Sequence, residues 1–484
     1  MHQNQHTNRW RVGSHAARIV ESMAWLSAAV DKACGPFSPN KSTLQILAFE
    51  AAKTMSRLVA LYKSLSDDEL FKLRKGPMKS LGVAFLNSMD ESYLLGLVCK
   101  EKLEDLGHAV VVVSRLSKQC IDDELNRFEI AYHNKKQGII DVGNVDFNSR
   151  NVGKAIEKME KYANATSALH GSLVALNELV VSEKKMQKPN INIDYFNEEI
   201  NFQRKQVLHF RQISLWSQTF DTSVGLMARI VFVIYARICT IFGPFVPSLT
   251  CIYIPKRKAL HMKVYPETSY CLLVDKEKYT EHASKSGPIM KASRTKQRAT
   301  RSHSGQLCLS GSIMKASRTE PKNKSLIQSA PGNTVGAAGL ALHYANIIVM
   351  AESCFHSTTS ISNESRENMY EMLPISLKHA LRRKLKGHLS KDVEGSDGGQ
   401  GLAQGCKEAL GEIIGWLAPV AHETLRWQQE RDSQQQKLDS EPTALLMQTL
   451  HFSDLEKTEA EIVEVLVGLS CIYRYEGRRE RHDG

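Results

Sequence analysis

The chain has 484 residues, 42% of them hydrophobic and 24% charged, with a formal charge of +11. That is the composition of an ordinary soluble protein, with material for two to four domains and a sizeable core. The charge excludes little by itself. Ser284 to Lys324 holds ten Lys/Arg against one acidic residue, Glu320, so this segment carries +9 and the remainder is nearly neutral. The basicity belongs to one stretch and does not mark the folded parts as binders of nucleic acid or membrane.

Ten cysteines are scattered with no Cys-x-x-Cys pair and no zinc spacing, which reads as reduced, mostly buried thiols inside a cell. The N-terminus shows no secretory signal, and His2 stands where N-myristoylation needs glycine. The expected location is nucleus or cytoplasm.

Residues 1–13 are polar and read as disordered, and 14–250 as an N-terminal helical region. A first helix is expected from Ser14 to Ala33, stopped by Gly35-Pro36. Ser42-Thr-Leu-Gln45 reads as a capping box opening a strongly amphipathic helix with Leu44, Leu47, Ala51, Met55, Leu58 and Tyr62 on one face. Ser66 to Glu69 and Ser88 to Glu91 start two more helices by the same device. The pattern then predicts continuous helix over about 100–137, a turn at Asp141 to Asn148, helix over 150–187, and one long helix from about Tyr195 to Phe242 ended by Gly243-Pro244. Val110 to Val113 is β-branched enough for a buried strand, but its flanks are helical. Val224 to Phe242 is the one membrane candidate. Arg229 and Arg237 interrupt it, at about 2.5 to 3.5 kcal/mol each near a bilayer centre, so a buried core helix is expected.

Residues 251–333 form a basic, low-complexity linker. Leu260 to Val274 alternates weakly, as a short hairpin would. Ser286 to Thr295 recurs almost unchanged as Ser310 to Thr319, too few copies for a solenoid and too poor in large apolar residues to fold. Ser293 and Ser317, beside Lys and Arg, are the candidate phosphorylation sites, against the plainer reading of a solvated, duplicated tether. The C-terminal helical domain spans 334–475. It opens with an apolar helix from Val335 to Met350, continues through helices at 362–370, 375–389 and 409–436, and ends in a helix capped by Ser453, before a charged tail at 476–484.

Chemistry is hard to find. The glycines between 395 and 405 lack both phosphate-loop spacings, His422-Glu423 has no second His at helical distance, and no Gly-x-Ser-x-Gly stands in a foldable segment. No catalytic residue, metal ligand or cofactor is expected. His343 and Asn346 share a side of the opening helix. They read as a buried polar pair bonded to a neighbouring helix, with Gly339 permitting close approach, rather than as an acid/base site. Lys378, Arg382, Arg383, Lys384 and Lys386 make one helix basic and form the candidate interaction surface. With no interleaved aromatics, nucleic acid is disfavoured and a solvated face is the bland alternative.

Gly336-Ala-Ala-Gly339-Leu-Ala-Leu-His343-Tyr344-Ala-Asn346, then Tyr370 to Pro374, Leu381 to Leu385, and Gly415-Trp416-Leu-Ala-Pro419-Val-Ala421 resemble the C-terminal domain of the plant phytosulfokine-simulator-like family. Leu44 to Glu50 and Ile213 to Asp221 resemble its N-terminal domain and central helix. The helical pattern reads as an all-α protein, an array of long antiparallel helices in two modules joined by a disordered basic linker; the resemblance places the family's N-terminal domain at about 44–100, followed by long central helices at about 100–250. The resemblance implies positive regulation of plant growth, linked to signalling by the peptide hormone phytosulfokine, through protein partners and without catalysis or cofactor. Some members begin Met-Gly and are thought to be myristoylated; this chain begins Met-His. The alternatives are a peripheral adaptor for an anionic or phosphoinositide-bearing membrane, using the basic linker and helix, and, more weakly, a nuclear nucleic-acid-associated protein.

Overall fold

The computed structural model describes residues 42–137, 147–185, 193–246, 249, 326–357, 363–391, 399–436 and 444–479. Among these there are fourteen α-helices and six 3-10 turns, and no strand beyond two isolated bridges. The expected first helix, the hairpin, the turn at 141–146 and the linker repeats, with Ser293 and Ser317, lie outside the described residues.

Helix α1 (Ala48–Ser64) buries Ala48, Ala51, Met55 and Leu58 completely, as its stripe predicts. Its entry differs from the capping box. Thr43 pairs with Thr219 in an antiparallel bridge, the Ser42 carbonyl accepts from the Phe220 N–H (3.0 Å), and Leu44 donates to the Gln218 carbonyl (2.9 Å). Backbone committed to that pairing cannot also be helical. The chain turns through Gln45 at φ +48°, makes a 3-10 turn, and only then enters α1. Helix α2 (Asp67–Lys75) is capped by Ser66, as predicted. After α3 (Leu81–Leu86), α4 (Glu91–Ser117) is capped by Asp90, whose carboxylate accepts from Ser92, while Ser88 supports Asp90 from outside. Val110 to Val113 is helical, with Val113 buried and Val111 exposed.

The expected continuous helix at 100–137 is interrupted after Ser117. The Asp221 carboxylate accepts from the N–H groups of Ile121 and Asp122, stabilising a turn before α5 (Asp123–Asn126) and α6 (Phe128–Lys136). Helix α7 (Arg150–Lys185) follows. The expected single helix at 195–242 is two, α8 (Ile193–Ile213) and α9 (Phe220–Phe242). Ser214 caps a 3-10 turn, Thr219 caps α9, and the buried Thr166 hydroxyl of α7 accepts from Leu215 (3.1 Å), fixing the corner. Helix α9 is long and apolar enough to cross a membrane, and 61% of its most apolar window is buried within the protein. It packs between α4, α1 and α7, with Val224, Met227, Ile230 and Ile234 fully enclosed. Each such side chain contributes about 1.5–3 kcal/mol. Arg237 pairs with Asp67 and donates to the Leu65 carbonyl.

The C-terminal helices are α10 (Ala341–His356), α11 (Asn363–Met372), α12 (Ile375–Lys391), α13 (Gly399–Gln436) and α14 (Leu455–Arg479). Helix α10 starts six residues later than predicted. Val335 donates to the Ser453 carbonyl (2.9 Å) and Gly336 to that of His451 (3.1 Å), so residues 335–339 form a turn instead, closed by Ala338 on the Thr334 carbonyl (3.2 Å) and Leu340 on that of Val335 (3.1 Å), with Gly339 at φ +72° leading into the helix. Helix α14 is capped by the Asp454 carboxylate, one residue after the expected cap.

The helices before and after the linker form one compact unit with two hydrophobic clusters. Leu86 of α3 belongs to the C-terminal cluster, and Trp427, Ala444, Leu446 and Met447 belong to the N-terminal one. Gly82 sets the closeness of α3 to α13: a Cβ there would stand 2.7 Å from the Trp416 carbonyl. Among the described residues, buried Cys99 and Cys120 are free thiols. Cys239, buried near the end of α9, is disulfide-bonded, which departs from the expectation of reduced thiols throughout.

Candidate functional site

The residues of the apolar C-terminal motif are mostly structural in placement. Tyr344 is fully buried and its hydroxyl donates to Glu459 of α14 (2.6 Å); burial and that carboxylate push its pKa up. His343, half-buried, bonds through Nε2 to the Met372 carbonyl at the end of α11 (2.5 Å). Asn346 is not its partner: it is exposed and donates to the Leu342 carbonyl of its own helix (2.9 Å). The close approach expected at Gly339 falls instead at Gly336. Gly339 has open space where a Cβ would go and is needed for its positive φ, whereas a Cβ on Gly336 would stand 2.3 Å from the His451 carbonyl oxygen. Pro374 precedes α12 and accepts from Lys378 (2.9 Å). Trp416 packs against Phe85 with ring centroids 5.1 Å apart, and Pro419 is exposed within α13.

The basic residues of α12 divide. Lys378 donates to the Glu371 carbonyl (3.2 Å) and lies over the Tyr370 ring, which Arg382 also approaches, at 5.7 Å. Lys384 pairs with Glu464 of α14. Arg382, Arg383 and Lys386 are exposed on a helix whose first residue, Ile375, is 75% exposed.

A cleft of about 390 Å³ lies where α1 and α4 meet the end of α13 and the 3-10 turn Leu446–Gln448. Helical spacing aligns its walls: Glu50, Lys53 and Arg57 on α1, Glu101, Glu104, Asp105 and His108 on α4, and Trp427, Glu430 and Arg431 on α13. Glu101 accepts from the Trp427 indole N–H (3.2 Å) and the Leu446 N–H (3.0 Å). Burial pushes its pKa up to about 7, against the opposing pull of Lys102. Burial also raises Asp105, and it lowers Lys53 and His108, with Arg57 adding to both decreases. Sequence reasoning did not single out these residues. The signal was a charged face recurring at three- and four-residue intervals on two otherwise apolar helices, which reads from sequence as a solvated face.

The cleft has charge and hydrogen-bonding capacity but no activated nucleophile on its walls. Of the free thiols, Cys99 and Cys120 are each pushed up to about 12 by burial. Among the described residues no three His, Cys, Asp or Glu side chains stand together as metal ligands.

Residues 334–426 match the family described as a protein of unknown function, DUF668, and residues 46–102 match a domain of unknown function, DUF3475. Protein PSK SIMULATOR 1 of Arabidopsis thaliana is 23% identical over 450 residues, covering 88% of this chain and 55% of the relative. Over most of its length the chain is similar to the PSK simulator proteins. PSK SIMULATOR 3 and PSK SIMULATOR 2, from the same plant, are 23% and 22% identical over 92% and 97% of this chain, and 59% and 65% of their own lengths. The chain thus spans about 55–65% of the length of these PSK simulator relatives. No solved structure matches it. These matches indicate no enzymatic family. Of the cleft's lining, the α1 residues and Glu101 lie within the 46–102 match, whereas Glu104, Asp105 and His108, and Trp427 onward, lie outside both matches.

Proposed function

We propose that this chain is a non-enzymatic regulator of plant growth in phytosulfokine peptide-hormone signalling, acting through protein partners. The names of the PSK simulator relatives supply the pathway. Support for a partner-based role comes from the first matched domain, where Phe71, Leu81, Phe85 and Met89 are exposed, Leu81 at 71% and Met89 at 85%. Leu81 and Phe85 are neighbours on α3; Leu81 is open to solvent, and Phe85 lies against Trp416 of α13 yet stays partly exposed. Large apolar residues gathered on a surface mark contact sites for other proteins. The test is root growth with and without the hormone in plants lacking the protein. Wild type should restore the response, and a Leu81→Glu, Met89→Glu variant with unchanged melting temperature should not. Equal restoration by both would remove the basis for this reading.

A second reading, a peripheral adaptor for anionic lipid, is favoured by the exposed Ile375 on the helix that carries exposed Arg382, Arg383 and Lys386. Flotation with phosphatidylcholine vesicles, with and without phosphoinositide, tests it. Arg383→Gln with Lys386→Gln should abolish any lipid-dependent flotation.

A further inference from the structure

Among the described residues, helix α8 packs chiefly along α7 and against the turn Leu215–Ser217 that follows it. Ile200, Val207 and Arg211 are buried and mark its inner side. The far side carries Phe202 and Ile213, 52% and 46% exposed and three turns apart, with Gln206 and His209 between them at i+4 and i+7. Half-buried Phe210 borders this stripe, its ring edge-on to that of His209 at 5.3 Å. Two large apolar side chains left open in register, on a helix with one main helical neighbour, form an unpartnered face.

A segment of this chain has the matching pattern. The described residues begin at Ser42, whose carbonyl accepts from Phe220 across the corner that α8 leads into. Upstream is the expected helix Ser14 to Ala33, with Ile19, Met23, Leu26 and Val30 at i, i+4, i+7 and i+11, the spacing of the stripe on α8. Eight residues, Cys34 to Lys41, separate it from Ser42. They span at most about 28 Å, which brings Ala33 within reach of Ile213, one residue before the corner. Chain direction sets the orientation. A helix that must lead to Ser42 lies parallel to α8, with Ala33 toward Ile213. Arg18, fifteen positions before Ala33, then falls level with exposed Glu198, fifteen before Ile213. Complementary charge of this kind favours one register over its alternatives.

We propose that the far side of α8 is a docking surface for the chain's own segment Ser14 to Ala33, laid along it as a parallel helix with Ile19, Met23, Leu26 and Val30 against Phe202 and Ile213. Docking removes both apolar stripes from water at once. The short tether holds the segment at an effective concentration above that of any free competitor, a second copy of the chain included.

Photo-crosslinking of the purified full chain tests this. The photoreactive analogue p-benzoylphenylalanine in place of Phe202 should crosslink within one molecule to a peptide inside 14–33, mapped by mass spectrometry. Hydrogen exchange gives a second readout. Amides of 19–30 should exchange at least tenfold more slowly than those of 1–13, and Phe202→Glu with Ile213→Glu should remove that protection with the melting temperature kept. Ile130→Glu, at an exposed position on α6, should leave it unchanged. Ile19→Glu with Leu26→Glu breaks the contact from the other side and should abolish the crosslink from position 202, so the idea is tested even if the double variant on α8 misfolds. A crosslink to any other segment, a crosslink joining two copies, no crosslink, or protection of 19–30 that survives in a folded Phe202→Glu, Ile213→Glu variant overturns the proposal.

Discussion

The indole N–H of Trp427 donates to the carboxylate of Glu101, joining side chains 326 positions apart. This bond ties the N-terminal helices to the far end of α13, and the burial of Glu101 there makes stability depend on pH. The Glu101 pKa rises from 4.5 to about 7 in the folded protein, chiefly through burial. A carboxyl group that binds its proton more tightly when folded stabilises the native state fully below about pH 4.5. That contribution is lost as pH rises through 7, with a ceiling on the order of 3 kcal/mol. Glu101→Gln keeps an oxygen to accept both bonds and cannot ionise. Relative to this variant, wild type should lose melting temperature between pH 4.5 and 7.5 and no more beyond. Parallel melting curves for the two proteins across that range would refute the assignment.

His451 lies on another side of the same indole, ring centroids 5.0 Å apart, and has the opposite sign. Its ring is buried, neither nitrogen has a hydrogen-bond partner among the described residues, and burial lowers its pKa to about 4, with Arg431 adding to the decrease. A depressed imidazole stabilises the fold above about pH 6.5 and loses that contribution as pH falls toward 4. Glu101 and His451 therefore oppose each other between pH 4.5 and 6.5. His451→Leu should abolish the acid-side loss, leaving melting temperature falling with rising pH, while Glu101→Gln leaves it falling with lowered pH. Thermal melts of both variants, read as differences from wild type, should diverge in opposite directions.

Gly336 and Gly339 should respond differently to alanine. At Gly336 the new methyl would meet the His451 carbonyl at 2.3 Å, and backbone cannot yield as a flexible side chain does. The bridge between this stretch and the start of α14 must open, at a cost of about 1–3 kcal/mol or more. At Gly339 there is space, and the only cost is the left-handed φ of +72°, about 1–2 kcal/mol. Gly339→Asn should recover much of the Gly339→Ala loss, because Asn tolerates that region, whereas Gly336→Asn should be at least as harmful as Gly336→Ala. Urea midpoints for the four variants decide this.

The helices themselves were legible because burial follows periodicity: Met55 and Leu58 on α1, or Val224 and Ile230 on α9, are buried where a 3.6-residue stripe puts them. The corners were not. Ser214 to Thr219 carries no Gly or Pro, and its turn is set by Thr166 of another helix and by pairing with Thr43, contacts that span up to 176 positions. Asp221 likewise ends the run after α4 from a hundred residues away. The same physics hid the cleft. Asp105 and His108 read as solvent-facing residues, and they line a cleft only because α13 and the turn at Leu446 stand opposite them. Gly336 and Gly339 were legible as special, but which needed space and which needed φ depended on His451, a partner no local pattern names.

His343→Ala separates structure from function in the C-terminal motif. The variant removes the bond to the Met372 carbonyl, which holds the end of α11 against α10. A half-buried hydrogen bond of this kind contributes about 0.5–1.5 kcal/mol, and the orphaned carbonyl sits next to the turn at Leu373 into α12, where water can reach it only in part. The expected result is a modestly lower melting temperature with growth promotion retained at permissive temperature. Asn346→Ala, whose amide only bonds its own helix at an exposed site, should leave both unchanged. If His343→Ala melts like wild type yet fails to support growth, the imidazole acts on a ligand or partner and its bond to Met372 is incidental.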